Sequence, residues 1–137
     1  LYKTELESLN EYAKNAFKDL NRESKLMILH NSFGYLAAAY HLHFIAISEL
    51  NPLAEPSAKK MAELYEIVKK EHITAIFSEN IAPSRFISTL SKDLNLIDGG
   101  ILYSDALTKG APANTYINLF KHNIDQIRAT LLNSAKE

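Results

Sequence analysis

Hydrophobic residues recur along this chain in two patterns, one typical of helices and one typical of buried strands. Near the start, apolar residues at helical spacing face a polar side, which predicts an amphipathic helix over about residues 1–20. Its apolar stripe consists of Leu6, Leu9, Ala13, Ala16, Phe17 and Leu20. Four short apolar runs follow, at 26–29, 42–47, 73–77 and 97–103, and each predicts a strand of a buried sheet.

Helical periodicity returns between these runs and after the last of them. The predicted helix starts lie near Asn31, Pro56, Pro83 and Asn114. Asn31 or Ser32 is the expected N-cap of the first of these helices, because short polar side chains accept hydrogen bonds from a free first turn. Pro56 is expected in the first turn of the next, where its missing N–H costs nothing.

The predicted order is therefore α-β-α-β-α-β-α-β-α. Strands that alternate with helices require crossover connections, so we expect an α/β fold with a four-stranded, mainly parallel sheet flanked by helices. The fourth strand is expected to be interrupted or preceded by Asp98, Gly99 and Gly100. A length of 137 residues fits a single domain.

Composition narrows the classes of partner and site. The formal net charge of −1 gives no electrostatic case for binding nucleic acid or an anionic membrane surface. Cysteine is absent from the sequence, which excludes disulfides and thiolate zinc sites. A metal site would have to use imidazole, carboxylate or water.

Three polar clusters follow predicted strands, where open parallel sheets bind ligands. They are His30-Asn31-Ser32, Ser78-Glu79-Asn80 and Ser104-Asp105. A His, a Glu and an Asp at one edge suggest a zinc or manganese site. Each also has an ordinary interpretation: His30 as a hydrogen-bonded turn residue, Asp105 as a helix cap, and Glu79 as a solvated or salt-bridged carboxylate.

The remaining histidines offer weaker candidates. His41 and His43 are expected on one face near the start of the second strand, at the wrong end of the sheet for the ligand crevice. His72 and His122 are expected to be solvated. The usual catalytic and phosphate-binding motifs are missing from the sequence, so we do not expect an enzyme. The enzyme alternative would use His30 as a general base with Asp105 or Glu79.

Several stretches form a recognisable set of motifs, in order over about residues 20 to 130. They are residues 30–35 (HNSFGY), 51–57 (NPLAEPS), 76–80 (IFSEN), 104–107 (SDAL), Tyr116 and 122–125 (HNID). These stretches fit the patterns H-[DN]-[AS]-F-G-Y, P-x-A-E-P-S, I-F-x-E and a final D-[AS]-L … Y … N-[IL]-D. The set resembles the motifs of one family, the zinc/manganese-type solute-binding proteins of ABC transporters.

The resemblance implies a site and its ligands. The metal of this family lies between two α/β lobes and is held by four protein positions, two from each lobe. The pair from the C-terminal lobe corresponds here to His30 and Asp105, with Glu79 and Asn31 as neighbours of the site. A His at the position of His30 favours zinc as the bound metal, with manganese as the alternative.

The resemblance also implies the organisation of the chain. Residues 1–20 resemble the helix that connects the lobes or the segment after it, and 21–137 resemble the C-terminal lobe. The N-terminal lobe is absent from these residues, so half of a four-coordinate site is left to water. We therefore expect weak zinc binding by this chain and self-association of its uncovered surface.

The function implied by the resemblance is metal capture outside the cytoplasm. The expected protein is periplasmic or extracytoplasmic, lipid-anchored in its full-length parent, and delivers zinc to an ABC permease in the membrane. The alternative is a metal-independent adhesion or interaction module that has kept the fold.

Overall fold

The computed structural model describes residues 2–20, 23–30, 32–47, 56–79, 84–104 and 115–135. Helices and strands alternate in these ranges in the predicted order, which confirms the α/β fold. The elements are α1 (Tyr2–Phe17), β1 (Lys25–Ile28), α2 (Gly34–Tyr40), β2 (His43–Ala46), α3 (Ala58–Glu71), β3 (Ile73–Glu79), α4 (Ser84–Asp93), β4 (Ile97–Leu102) and α5 (Tyr116–Ala135). None of the helices in these ranges has the length and apolar character needed to span a membrane.

The four strands form one sheet in the order β2-β1-β3-β4, and every neighbouring pair is parallel. The carboxyl ends of all four strands therefore lie along the same edge of the sheet. The central strand β3 is buried along nearly its whole length, as its uninterrupted apolar run predicts. This topology brings residues that are far apart in sequence to one edge.

Alternation along β1 divides the core into two layers, one on each face of the sheet. Leu26 and Ile28 pack with buried side chains of α1, α2 and α5 on one face. Met27, together with Leu29 just beyond the strand, packs with buried side chains of α3 and α4 on the other. The sheet is thus covered by helices on both faces, as crossover connections require.

Two predicted helix starts were wrong in detail. The N-cap of α2 is Phe33, whose side chain has no acceptor for a capping bond, and the hydroxyl of the expected cap Ser32 donates to the Glu79 carboxylate instead. The cap of α3 is Ser57, whose hydroxyl accepts a hydrogen bond from the Lys60 amide at 3.1 Å. Pro56 precedes this cap and so lies outside the first turn. The other predicted starts, Pro83 and Asn114, and the candidate cap Asn31 lie outside the described residues.

The glycine pair belongs to β4 and does not interrupt it. The pairing of β3 with β4 shifts register between Ile76 and Ser78, so β4 carries an extra residue there, as in a β-bulge. Gly100 adopts a φ of 90°, which an L-residue with a side chain rarely accommodates. The bulge lets the strand continue to Leu102 and deliver the next residues to the carboxyl edge.

Candidate metal centre

Three of the strands deliver polar side chains to one place at the carboxyl edge of the sheet. His30 follows β1, Glu79 ends β3, and Ser104 lies two residues beyond β4. The sequence predicts that these strand ends converge, and the parallel sheet does bring these side chains together. Ser32, at the start of the turn into α2, completes the group.

Glu79 is the buried centre of this group. It is 2% exposed. The Ser32 hydroxyl lies 3.3 Å from each of its carboxylate oxygens, and the Ser104 hydroxyl donates to Oε2 at 3.3 Å. Of its two ordinary interpretations, a solvated carboxylate was wrong, because residues that follow β1 and β4 cover the strand end. A salt-bridged carboxylate agrees with the position of His30, whose Nδ1 lies 3.9 Å from Oε1. Burial of a carboxylate is costly without such donors, and here two hydroxyls supply them.

His30 lies next to the Glu79 carboxylate and nearer to solvent. Its side chain is 50% exposed, and Nδ1 lies 3.9 Å from Glu79 Oε1, beyond direct hydrogen-bond distance. A histidine that turns one ring nitrogen toward a carboxylate is oriented to offer the other to a metal ion. His30 therefore combines access to solvent with a negatively charged neighbour.

Two of the predicted site residues, Asp105 and Asn31, lie outside the described residues. Among the residues that the structure does describe, no group of three His, Asp or Glu side chains is placed to hold a metal ion. The described part of the edge thus offers one imidazole with a carboxylate behind it.

The end of β4 is held by two side chains from α5, to which sequence analysis assigned no structural role. The Asn123 side chain accepts a hydrogen bond from the Tyr103 amide and donates one to the Tyr103 carbonyl, each at 2.9 Å. His122 Nε2 lies 2.8 Å from the Ile101 carbonyl, and its ring packs against Tyr103. The expectation that His122 is solvated was wrong. Two signals single out Asn123: it belongs to the matched stretch 122–125, and it is a polar residue beside the buried stripe of the last helix.

The other histidines lie away from this edge. His41 is the left-handed C-cap of α2, with a φ of 57°, and His43 is the first residue of β2. Because His41 precedes the strand, the two do not share a strand face as expected. Both lie where the strands begin, as does His72, the left-handed C-cap of α3.

An aromatic cleft of about 520 Å³ adjoins the site between α1, α2 and α5. Ser32 and Ser104 form part of its wall, so it opens beside the hydroxyls that contact Glu79. Tyr35 at its rim is 92% exposed. The carboxyl edge therefore combines a polar group with a neighbouring apolar surface.

Comparison with known proteins places the chain in a family. The family model described as "Zinc-uptake complex component A periplasmic" matches residues 1–130. The zinc-binding protein TroA of Treponema pallidum is 29% identical over 137 residues, which cover 95% of this chain and 44% of TroA. The manganese-binding lipoprotein MntA of Halalkalibacterium halodurans is 29% identical over 126 residues, 90% of this chain and 42% of MntA.

Solved structures agree with this assignment. The periplasmic zinc-binding protein TroA from Treponema pallidum superposes with a TM-score of 0.74 at 30% identity, covering 95% of this chain and 50% of that one. The Mn-bound periplasmic metal-binding protein from Candidatus Liberibacter asiaticus shares the fold, with a TM-score of 0.76 at 23% identity, over 95% of this chain and 48% of that one.

The chain spans less than half the length of the two curated relatives described above. The family model and the superposition on TroA each cover nearly the whole of this chain, in sequence and in fold respectively. The chain belongs to the family of zinc-uptake component A proteins, the solute-binding proteins of metal ABC transporters.

Proposed function

We propose that this chain supplies the C-terminal half of the metal site of an extracytoplasmic binding protein, which captures zinc or manganese for an ABC uptake transporter. The observation that carries the proposal is His30, half exposed at the carboxyl edge with Nδ1 3.9 Å from the buried carboxylate of Glu79. Its role is binding and delivery, not catalysis. The names of relatives, which include zinc-binding and manganese-binding proteins, support the same class of ligand.

His30 and Asp105 are the proposed ligands. Glu79 lies on the Nδ1 side of the His30 ring, where its negative charge orients the ring and favours the metal-bound imidazole. Asn31, next to His30 in sequence, is proposed as a further neighbour of the site. An imidazole at this position favours zinc over manganese, because manganese prefers oxygen ligands.

The proposed organisation is a connecting helix at residues 1–20 and a C-terminal lobe at 21–137. Two further ligands would come from an N-terminal lobe, in keeping with the share of its relatives' length that the chain covers. One imidazole and one carboxylate leave a tetrahedral zinc ion half coordinated by water. Zinc binding by this chain is therefore weak, and the aromatic cleft beside Ser32 and Ser104 favours self-association.

The proposed setting is the periplasm or the outer face of the membrane, with a lipid anchor in the parent protein. Relatives described as periplasmic or as lipoproteins support it. The partner would be the permease of the transporter, which receives the ion.

The proposal is tested by zinc titration of the chain while the histidine ring signals are followed by NMR. We expect the ring signals of His30 to shift at lower zinc concentration than those of the other histidines. In His30→Ala the zinc binding that causes this shift should be lost. His72→Asn is the matched control, since His72 is exposed at the opposite end of the strands and Asn tolerates its left-handed backbone. Zinc affinity that is unchanged in His30→Ala would reject His30 as a ligand. Calorimetry that shows tight one-to-one zinc binding by a monomer would reject the proposal that this chain supplies only half of the site.

A further inference from the structure

The first turns of α5 contact β4, the outer strand of the sheet, through polar side chains. β4 is the outer strand of the described sheet, so its backbone has a strand neighbour on one side, β3. His122 bonds to the Ile101 carbonyl, and Asn123 bonds to both backbone groups of Tyr103. These side chains satisfy backbone groups at the end of β4 that a further strand would otherwise pair.

Asn123 is suited to this task because its carboxamide carries a donor and an acceptor. One side chain therefore satisfies the amide and the carbonyl of the same residue, both at 2.9 Å. Asn123 is 5% exposed, so water cannot readily replace either bond. Tyr103 is thereby fixed to a helix that is anchored in the core by Ile124 and Ile127.

A continuous series of contacts leads from the two Asn123–Tyr103 hydrogen bonds to the proposed metal site. Tyr103 is followed directly by Ser104, whose hydroxyl donates to Glu79 Oε2 at 3.3 Å. Glu79 Oε1 in turn lies 3.9 Å from His30 Nδ1. The position of the Tyr103 backbone thus determines whether the Ser104 hydroxyl reaches the buried carboxylate.

We propose that Asn123 is a positioning residue of the metal site, whose carboxamide holds the end of β4 where Ser104 can bond to Glu79 beside His30. Asn123 does not touch the ion. It acts through the backbone of Tyr103 and the Ser104 hydroxyl, which together keep the carboxylate aligned with the imidazole. The part of this inference that concerns metal affinity rests on the proposed function, whereas the positioning itself does not.

The test compares Asn123→Asp with Leu131→Ala in the chain as it stands. Aspartate keeps the size and the acceptor of asparagine but places a carboxylate oxygen against the Tyr103 carbonyl. Leu131 is a matched control because it is buried on the same helix without belonging to the polar group at the end of β4. The readouts are the His30 ring and Ser104 amide signals without metal, and zinc affinity from the His30 ring during titration.

We expect Asn123→Asp to shift the metal-free His30 and Ser104 signals and to weaken zinc binding by about ten-fold, as loss of support behind a ligand commonly does. Leu131→Ala should lower stability but leave the His30 signals in place. His30 signals that stay unchanged in Asn123→Asp, or that move equally in Leu131→Ala, would overturn the inference.

A second variant keeps the inference testable if Asn123→Asp does not fold. Ser104→Ala removes the last hydroxyl in the series and leaves the α5 bonds to Tyr103 intact, so it should shift the His30 ring in the same direction. An unmoved ring would overturn the pathway. If zinc perturbs no His30 signal in the unchanged protein, the proposed function fails, while the metal-free comparison still decides the positioning role.

Discussion

Replacement of Gly99 by alanine tests how tightly the central strand packs against its neighbour. Gly99 is buried in β4. A Cβ placed there would lie 2.6 Å from Cδ1 and 2.9 Å from Cζ of the Phe77 ring, and closer still to Cε1. Phe77 is fully buried, and its ring meets the ring of Phe44 at 6.3 Å between centroids. The ring therefore has little room to withdraw.

The expected cost follows from two opposing effects. Overpacking a well-packed core costs about 1–3 kcal/mol. Alanine restricts the unfolded chain more than glycine, which returns about 0.5–1 kcal/mol. The overpacking cost should lie near the upper end of its range, because the Phe77 ring is fully buried. Gly99→Ala should therefore destabilise the protein by about 2 kcal/mol, and lower the melting temperature by roughly 4 °C per kcal/mol for a chain of this size.

A double-mutant cycle with Phe77→Leu identifies the cause. Urea unfolding of the four proteins gives the free energy of unfolding of each. If the ring is responsible, the overpacking cost should disappear in the Phe77→Leu background, where Gly99→Ala should be neutral or stabilising by up to about 1 kcal/mol, a coupling of about 2–3 kcal/mol. A Gly99→Ala protein as stable as the parent would refute the steric argument. An equal cost in both backgrounds would show that the backbone, not Phe77, disfavours alanine.

Two further predictions concern the pH dependence of stability. A hydrogen bond from Lys25 is the main cause of the lowered pKa of Glu71, so this stabilisation is present above the ordinary value of 4.5 and is lost as the pH falls through the lower folded pKa. Glu71→Gln should therefore lessen the loss of stability as the pH falls below 4.5 in urea unfolding, and an unchanged loss would contradict this. A hydrogen bond to Asp125 is the main cause of the raised pKa of Tyr12, so its contribution is present below the ordinary value of 10.0 and is lost as the pH rises through the folded pKa. Tyr12→Phe should lessen the alkaline loss of stability, and a loss as steep as that of the parent would contradict this.

The order of elements could be predicted from sequence because burial imposes it on the pattern of residues. The run over 73–77 is apolar on both faces of a strand, and the structure buries it on both. Element ends were less predictable, because competing bonds decide them. Ser32 is a good N-cap in isolation, but its hydroxyl is directed at Glu79, and α2 begins after Phe33 without a side-chain cap.

The sequence could predict which strand ends form the candidate site, but not which side chains touch each other there. His30, Glu79 and Ser104 meet because parallel strands end at the same edge. That Glu79 is buried depends on segments after two other strands, which no local pattern reveals. The role of Asn123 was missed for the same reason, since its partner Tyr103 lies 20 residues away in sequence.

The contacts at this edge also separate the rigid part of the proposed site from its open part. Glu79 is buried and bonded to residues that follow two other strands, so its position is fixed by the sheet. His30 is half exposed and supported on one side by that carboxylate. A metal ion approaching His30 would therefore meet a ligand whose support is already in place, while the remaining coordination positions face outward. This arrangement suits a site that is completed by groups from another lobe, because the fixed half need not reorganise when the other half arrives.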